Sequence, residues 1–244
     1  MTLKGKVAVV TGGAGALGLA AVRTLLEEGA RVALVDLDAL RLDTLSRFLR
    51  GERIVIAADV TDSAAVRAAH GRVRTELGPV DILVNAAGAT SDAVVAATDD
   101  AVWRRVLGAR VDGTFLWSRA VLPEMASRGW GRIVTIGGTR QASALRGTAD
   151  AAASGAVASL TATLAREGAA NGVTVNAIAP GFVRSPTATE NLSEAQRRQA
   201  LAMIPAGRFG EPEEFAHVVR FLVSPLAGFV TGQTLGLDGG LNLG

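Results

Sequence analysis

Short apolar runs rich in β-branched residues alternate with longer helix-like runs along the whole of this 244-residue chain. The strand-like runs are Lys6–Thr11, Arg31–Asp36, Arg53–Asp59, Val80–Asn85, Arg132–Ile136, Thr174–Ala179 and Gln233–Leu237. Between them lie helix-like stretches at Leu17–Glu28, Ala39–Arg50, Ser63–Leu77, Ala101–Arg128 (with a break), Ala149–Ala170 and Glu211–Val223. Strands apolar on both faces belong in a parallel sheet covered by helices on each side. The rhythm predicts an α/β fold, one doubly wound parallel sheet flanked by helices, as a single domain over 1–244. Phe182–Pro205 reads as a polar, irregular excursion.

Composition narrows the function classes. The chain is 49% hydrophobic, enough for a large core, and it has no cysteine, which excludes disulfides, thiolate metal sites and Cys nucleophiles. Its two histidines, His70 and His217, are far apart and lack ligand spacing, so both read as ordinary helix residues and no metal is expected. Basic and acidic residues nearly balance, 25 against 23, with no basic stripe, which argues against nucleic-acid binding. No apolar run is long enough to span a membrane. Met1–Lys6 leads straight into a strand without a visible signal segment, so a cytoplasmic location is expected.

Between the first strand and first helix, Gly13-Ala14-Gly15-Ala16-Leu17-Gly18 fits the G-x-G-x-x-G pattern. In that context glycines let the backbone turn sharply and approach a pyrophosphate at the helix N-terminus. Asp36 ends the second strand, 18 residues past Gly18. A carboxylate there accepts hydrogen bonds from ribose hydroxyls and repels a 2′-phosphate, so NAD(H) is expected in preference to NADP(H).

These features, with others in the right order, resemble the short-chain dehydrogenase/reductase family, ketoacyl reductases among them, whose fold is of Rossmann type. Thr11-Gly12-Gly13-Ala14-Gly15-Ala16-Leu17-Gly18 resembles its TGxxxGxG loop, with Ala16 in place of the middle glycine. Asp59-Val60 resembles its adenine-contacting pair, Asn85-Ala86-Ala87-Gly88 its NNAG turn, and Pro180-Gly181-Phe182-Val183-Arg184-Ser185 its nicotinamide-amide turn. The resemblance implies cofactor contacts from Thr11, Gly12, Gly13, Gly15, Leu17, Gly18, Asp36, Asp59, Val60, Asn85, Ala86, Gly88, Pro180, Gly181 and Val183. It also implies a substrate-covering loop over 185–205 and assembly into dimers or tetramers through the two long helices, with Phe115, Leu116, Val157 and Leu160 at the interface.

The family's carbonyl chemistry uses Asn, Ser, Tyr and Lys, and the chain contains no tyrosine at all. The four matching positions hold Arg110, Gly138, Asp150 and Ser154. Thr139, beside Gly138, is a weak stand-in for the serine. A carboxylate at 150 ends far short of a phenol oxygen, and when ionised it has no proton to give. The resemblance puts Arg110 and Asp150 in the same pocket, where they can form a salt bridge. Losing a general acid costs about 10²–10⁴ in rate, so ordinary ketone reduction is expected to be negligible.

The reading that follows is a non-catalytic (pseudoenzyme) subunit that binds NAD(H) and partners an active family member. Two alternatives stand beside it. One is an atypical NAD(P)H-dependent imine reductase using Asp150 and Arg110, because a carboxylate suits a cationic iminium. The other is a dinucleotide-binding sensor.

Overall fold

The computed structural model describes residues 2–138, 147–185 and 189–243. Seven parallel strands form one sheet: β1 Val7–Thr11, β2 Arg31–Asp36, β3 Arg53–Ala57, β4 Ile82–Asn85, β5 Gly131–Ile136, β6 Val173–Pro180 and β7 Thr234–Leu237. Their spatial order is β3-β2-β1-β4-β5-β6-β7, so the order reverses between β1 and β4. A crevice forms at such a switch point, outside the carboxyl ends of the strands.

Among the described residues there are eight α-helices, most of them covering the sheet: α1 Ala16–Glu27, α2 Ala39–Ser46, α3 Ser63–Glu76, α4 Asp100–Leu107, α5 Gly113–Ser127, α6 Thr148–Gly168, α7 Glu194–Ala202 and α8 Pro212–Leu222. Strand alternation divides the core between two faces. Val7, Val9, Leu83 and Ile133 point into one layer with Trp117, Val121 and Met125 of α5. Ala8, Val10, Ile82 and Val134 point into the other, against Leu25 of α1 and Phe215, Val219 and Leu222 of α8. Burying one such Leu or Phe side chain contributes about 1.5–3 kcal/mol. No helix among the described residues is long and apolar enough to cross a membrane.

Local chemistry sets the helix starts. Asp38, Asp62 and Asp99 each accept a backbone N–H from the first turn of α2, α3 and α4, at 2.7–2.9 Å. By contrast α1 begins at Gly15 and α6 at Gly147, neither with a side-chain cap.

The structure departs from sequence expectation at three places. The excursion 182–205 contains a regular helix, α7, opened by a capping box in which Ser193 and Gln196 bond each other's backbone. The long helix expected over 101–128 is two helices joined by a π turn, Gly108–Asp112, at the expected break. Of the four residues assigned to an interface, Val157 is fully buried within the chain and Leu116 nearly so, because their helix faces turn to the sheet. Phe115, 43% exposed, does face outward. Thr139 lies outside the described residues.

Candidate active site

The strands' carboxyl ends converge on one cavity of about 220 Å³. Its wall is built from the β1–α1 loop (Gly15, Ala16, Leu17, Gly18), the turn after β4 (Ala86 to Thr90) and the end of β5 (Ile136, Gly137, Gly138). Asp150 and Ser154 of α6, Arg110 of the π turn, and Pro180, Gly181, Val183 and Ser185 after β6 complete it.

The glycine loop has its shape because side chains cannot fit. Gly12 has φ +63°, and a Cβ there would lie 2.6 Å from the backbone of Ala86 and Ala87. A Cβ on Gly18 would sit 2.1 Å from the Gly12 carbonyl oxygen. The Thr11 hydroxyl locks the loop to β4 by accepting the N–H groups of Ala86 and Ala87, both at 3.2 Å. Ala16 is the first residue of α1, and no described non-glycine residue has positive φ, so its methyl strains no backbone.

The Asp36 carboxylate, at the end of β2, accepts the N–H of Ala14 at 3.0 Å on one oxygen and that of Asp38 at 3.2 Å on the other. An ionised carboxylate has about four acceptor sites, so further lone pairs remain for hydroxyl donors. A side-chain-free helix start and a carboxylate one strand away fit a dinucleotide's pyrophosphate and ribose.

Arg110, Gly138, Asp150 and Ser154 do come together, all lining the one cavity. Arg110 Nη1 pairs with Asp150 Oδ1 at 3.0 Å, with the two side chains 8% and 3% exposed. Arg110 Nη2 donates to the Gly137 carbonyl and to the Ser154 hydroxyl, each at 3.2 Å. The Thr114 hydroxyl donates to the Arg110 carbonyl at 2.6 Å, anchoring the π turn. Gly88 passes over the guanidinium stem, and a Cβ there would meet Arg110 Cγ at 3.2 Å. Arg110 is therefore wedged between α6, β5 and the β4 turn.

Of the residues singled out for cofactor contact, Gly15, Leu17, Gly18, Ala86, Gly88, Pro180, Gly181 and Val183 line this cavity. Thr11, Gly12 and Gly13 stand behind it as loop supports. Asn85 is buried and donates to the Thr135 hydroxyl at 3.2 Å. Asp59 bends back to accept the N–H and hydroxyl of Thr61, at 2.8 and 2.7 Å. Val60 is buried in the core layer around Trp117. Sequence reasoning passed over Ala89, Thr90, Ile136 and Gly137, which line the cavity as mostly small or apolar residues outside any quoted cofactor motif.

A family model described as Enoyl-(Acyl carrier protein) reductase matches residues 12–242. The chain is 37% identical over 242 residues to the 3-oxoacyl-[acyl-carrier-protein] reductase of Escherichia coli, covering 99% of each. It is 42% identical over 248 residues to the galactitol 2-dehydrogenase (L-tagatose-forming) of Cereibacter sphaeroides, covering 98% of this chain and 95% of that one. The crystal structure of gox2181 superposes with a TM-score of 0.91 at 33% identity, covering 100% and 98% of the two chains.

These findings correct the expectation of a non-catalytic subunit. Relatives of this similarity, spanning nearly the full length, are named for reductase and dehydrogenase activity and point to an active oxidoreductase. There is a physical reason too. The replaced residues have not filled the site, because the Arg110–Asp150 pair lines a cavity that stays open. With its fold, glycine loop and full-length likenesses in agreement, the chain belongs to the short-chain dehydrogenase/reductase family.

Proposed function

We propose that this chain is a nicotinamide-dependent oxidoreductase that interconverts a secondary alcohol and a carbonyl on a small substrate, with NAD(H) used in preference to NADP(H). The observation that carries this reading is the open cavity at the switch point, bounded by the glycine loop on one side and buried polar groups on the other. The dinucleotide, when bound, supplies or accepts the hydride. The uncapped start of α1 meets the pyrophosphate with backbone N–H groups. Asp36 takes ribose hydroxyls and repels a 2′-phosphate, and exposed Leu37 beside it offers no cation to attract one. Pro180, Gly181 and Val183 border the nicotinamide end. Ile136, Ala89 and Val183 form the apolar part of the substrate space, and Arg110, Asp150 and Ser154 the polar part.

The names of the relatives suggest two substrate chemistries, an oxoacyl thioester and a polyol. Calorimetric titration with NADH and NADPH tests the cofactor half, with NADH expected to bind at least about tenfold tighter, roughly 1.4 kcal/mol. Absence of binding by either dinucleotide overturns the proposal. Turnover follows with NAD⁺ and galactitol in one direction, and with NADH and a 3-oxobutyryl thioester in the other.

A further inference from the structure

The cavity contains no phenol, yet its polar floor is an organised ion pair and not a vacated site. The arginine's geometry shows what it does. Nη2 is spent on the Gly137 carbonyl and the Ser154 hydroxyl, and Nη1 faces Asp150. Its stem is held under Gly88 and its backbone by Thr114. A guanidinium committed to three protein groups is poorly placed to bind substrate, and well placed to hold a carboxylate still. Asp150, in the first turn of α6, also sits where backbone N–H groups favour negative charge.

We infer that Asp150 is the proton-accepting catalytic residue of this cavity, acting in the oxidation of secondary alcohols, and that Arg110 is its positioning residue. The inference rests on the hydride-transfer reading above. The alcohol's C–H bond breaks and its electron pair leaves as hydride to the oxidised nicotinamide dinucleotide. The O–H bond breaks, the proton goes to the Asp150 carboxylate, and the C=O bond forms. Asp150 then returns the proton to water. As hydride departs, the substrate oxygen turns into that of a protonated carbonyl, a very strong acid, so a carboxylate suffices as base where a phenolate is otherwise used. In the reverse direction the same residue donates that proton to the carbonyl oxygen as hydride returns.

Ser154 fits the scheme. Its hydroxyl accepts from Arg110 and so has its own proton directed elsewhere. It lies one helical turn from Asp150 on the same face of α6, and both line the cavity. Gly138 leaves the opposite wall without a side chain, giving a substrate hydroxyl room to reach Asp150.

The test uses Asp150→Asn, Asp150→Ala and Arg110→Lys in the full chain. NAD⁺ binding is followed by calorimetry, and oxidation of galactitol and of a 3-hydroxybutyryl thioester by absorbance. Asp150→Asn is expected to bind NAD⁺ within about twofold of the parent, keep KM, and lose about 10²–10⁴ in kcat. Formate, a free carboxylate, is expected to restore part of the rate to Asp150→Ala and none to Asp150→Asn, where the amide still fills the space. Arg110→Lys is expected to keep a measurable rate. Full rate in Asp150→Asn with NAD⁺ bound overturns the inference and leaves the proposed function standing. The same holds if the parent reduces the oxobutyryl thioester but oxidises neither alcohol. Failure of the parent to bind any dinucleotide overturns the proposed function, and this inference with it.

Discussion

The two edges of the sheet carry the same residue types and do different things with them. At the amino edge, Arg132 is 3% exposed and donates to the carbonyls of Gly131, Gly172 and Ser224 at 2.8–3.3 Å. Burial lowers its pKa from the ordinary arginine value. Its guanidinium stacks 4.6 Å from the Trp130 ring, which Lys6 approaches at 3.7 Å. Nearby, Asp81 accepts from Val7 N–H at 3.0 Å, Lys6 at 3.4 Å and Arg128 at 2.8 Å. The carboxyl edge has the Arg110–Asp150 pair, opening on a cavity. Burial and pairing are thus common to both. The cavity separates them: Gly15, Gly18, Gly88 and Gly138 line open space at the carboxyl edge, where the amino edge is filled by a tryptophan and long side chains. A buried ion pair becomes a candidate for chemistry only where such space adjoins it.

The sharpest way to break this comparison is Arg110→Met. It leaves the Asp150 carboxylate buried without its guanidinium, and denaturant melts are expected to show a loss of about 3–5 kcal/mol. Adding Asp150→Leu is expected to recover most of that stability while leaving no alcohol oxidation. Recovery of neither would show that the pair holds the fold and not the site. Next, Asp81→Ala strands the Val7 N–H and costs about 1–3 kcal/mol, with dinucleotide affinity unchanged by calorimetry.

Glycine substitutions sharpen the contrast further. Gly18→Ala drives a methyl onto the Gly12 backbone at 2.1 Å, and Gly131→Ala drives one onto the buried Met125, its Cβ included, at 2.6–2.8 Å. Each should cost about 1–3 kcal/mol, but only Gly18→Ala should abolish NADH binding. Equal effects on NADH binding would erase the distinction between the edges.

The smallest effect lies beside the carboxyl edge, where Arg208 forks onto Glu214 at 2.7 and 2.8 Å. This hydrogen bonding holds the Glu214 carboxyl down at about 2. A depressed folded value stabilises above the unfolded one, near 4.5, and that stability is lost as pH falls from there toward about 2. The pair is solvent-exposed, so Arg208→Ala should leave denaturant melts at neutral pH almost unchanged while an NMR titration of Glu214 moves back toward 4.5.

The fold was legible because its determinants are local. Alternating apolar runs place each strand within about two residues of where it is found, and a glycine loop announces itself where only glycine fits. The helix α7 was missed although Ser193 and Gln196 write its capping box into the sequence, because Glu-Ala-Gln-Arg-Arg has little apolar periodicity to draw attention. Of the residues expected at an interface, Leu116 and Val157 turned out to be buried within the chain. Leucine and valine on a helix do not say which face meets the sheet. The Arg110–Asp150 contact spans 40 positions, and only the family register placed both residues in one pocket. That register could not reveal that the cavity stays open, because cavity volume depends on the packing of six separate segments.

The π turn at Gly108–Asp112 holds one residue more than an α turn would, so α4 and α5 are out of phase by about 100°. Dropping a single codon there would merge them into one continuous helix. Trp117 and Val121, now locked against the sheet, would then swing round, and Arg110 would be carried off its carboxylate. Side chains in this pocket can therefore be exchanged while the backbone stays where it is, whereas a change of length here would move all of them at once. Chain length in this segment sets where the pocket's side chains stand, and their identity sets what they can do there.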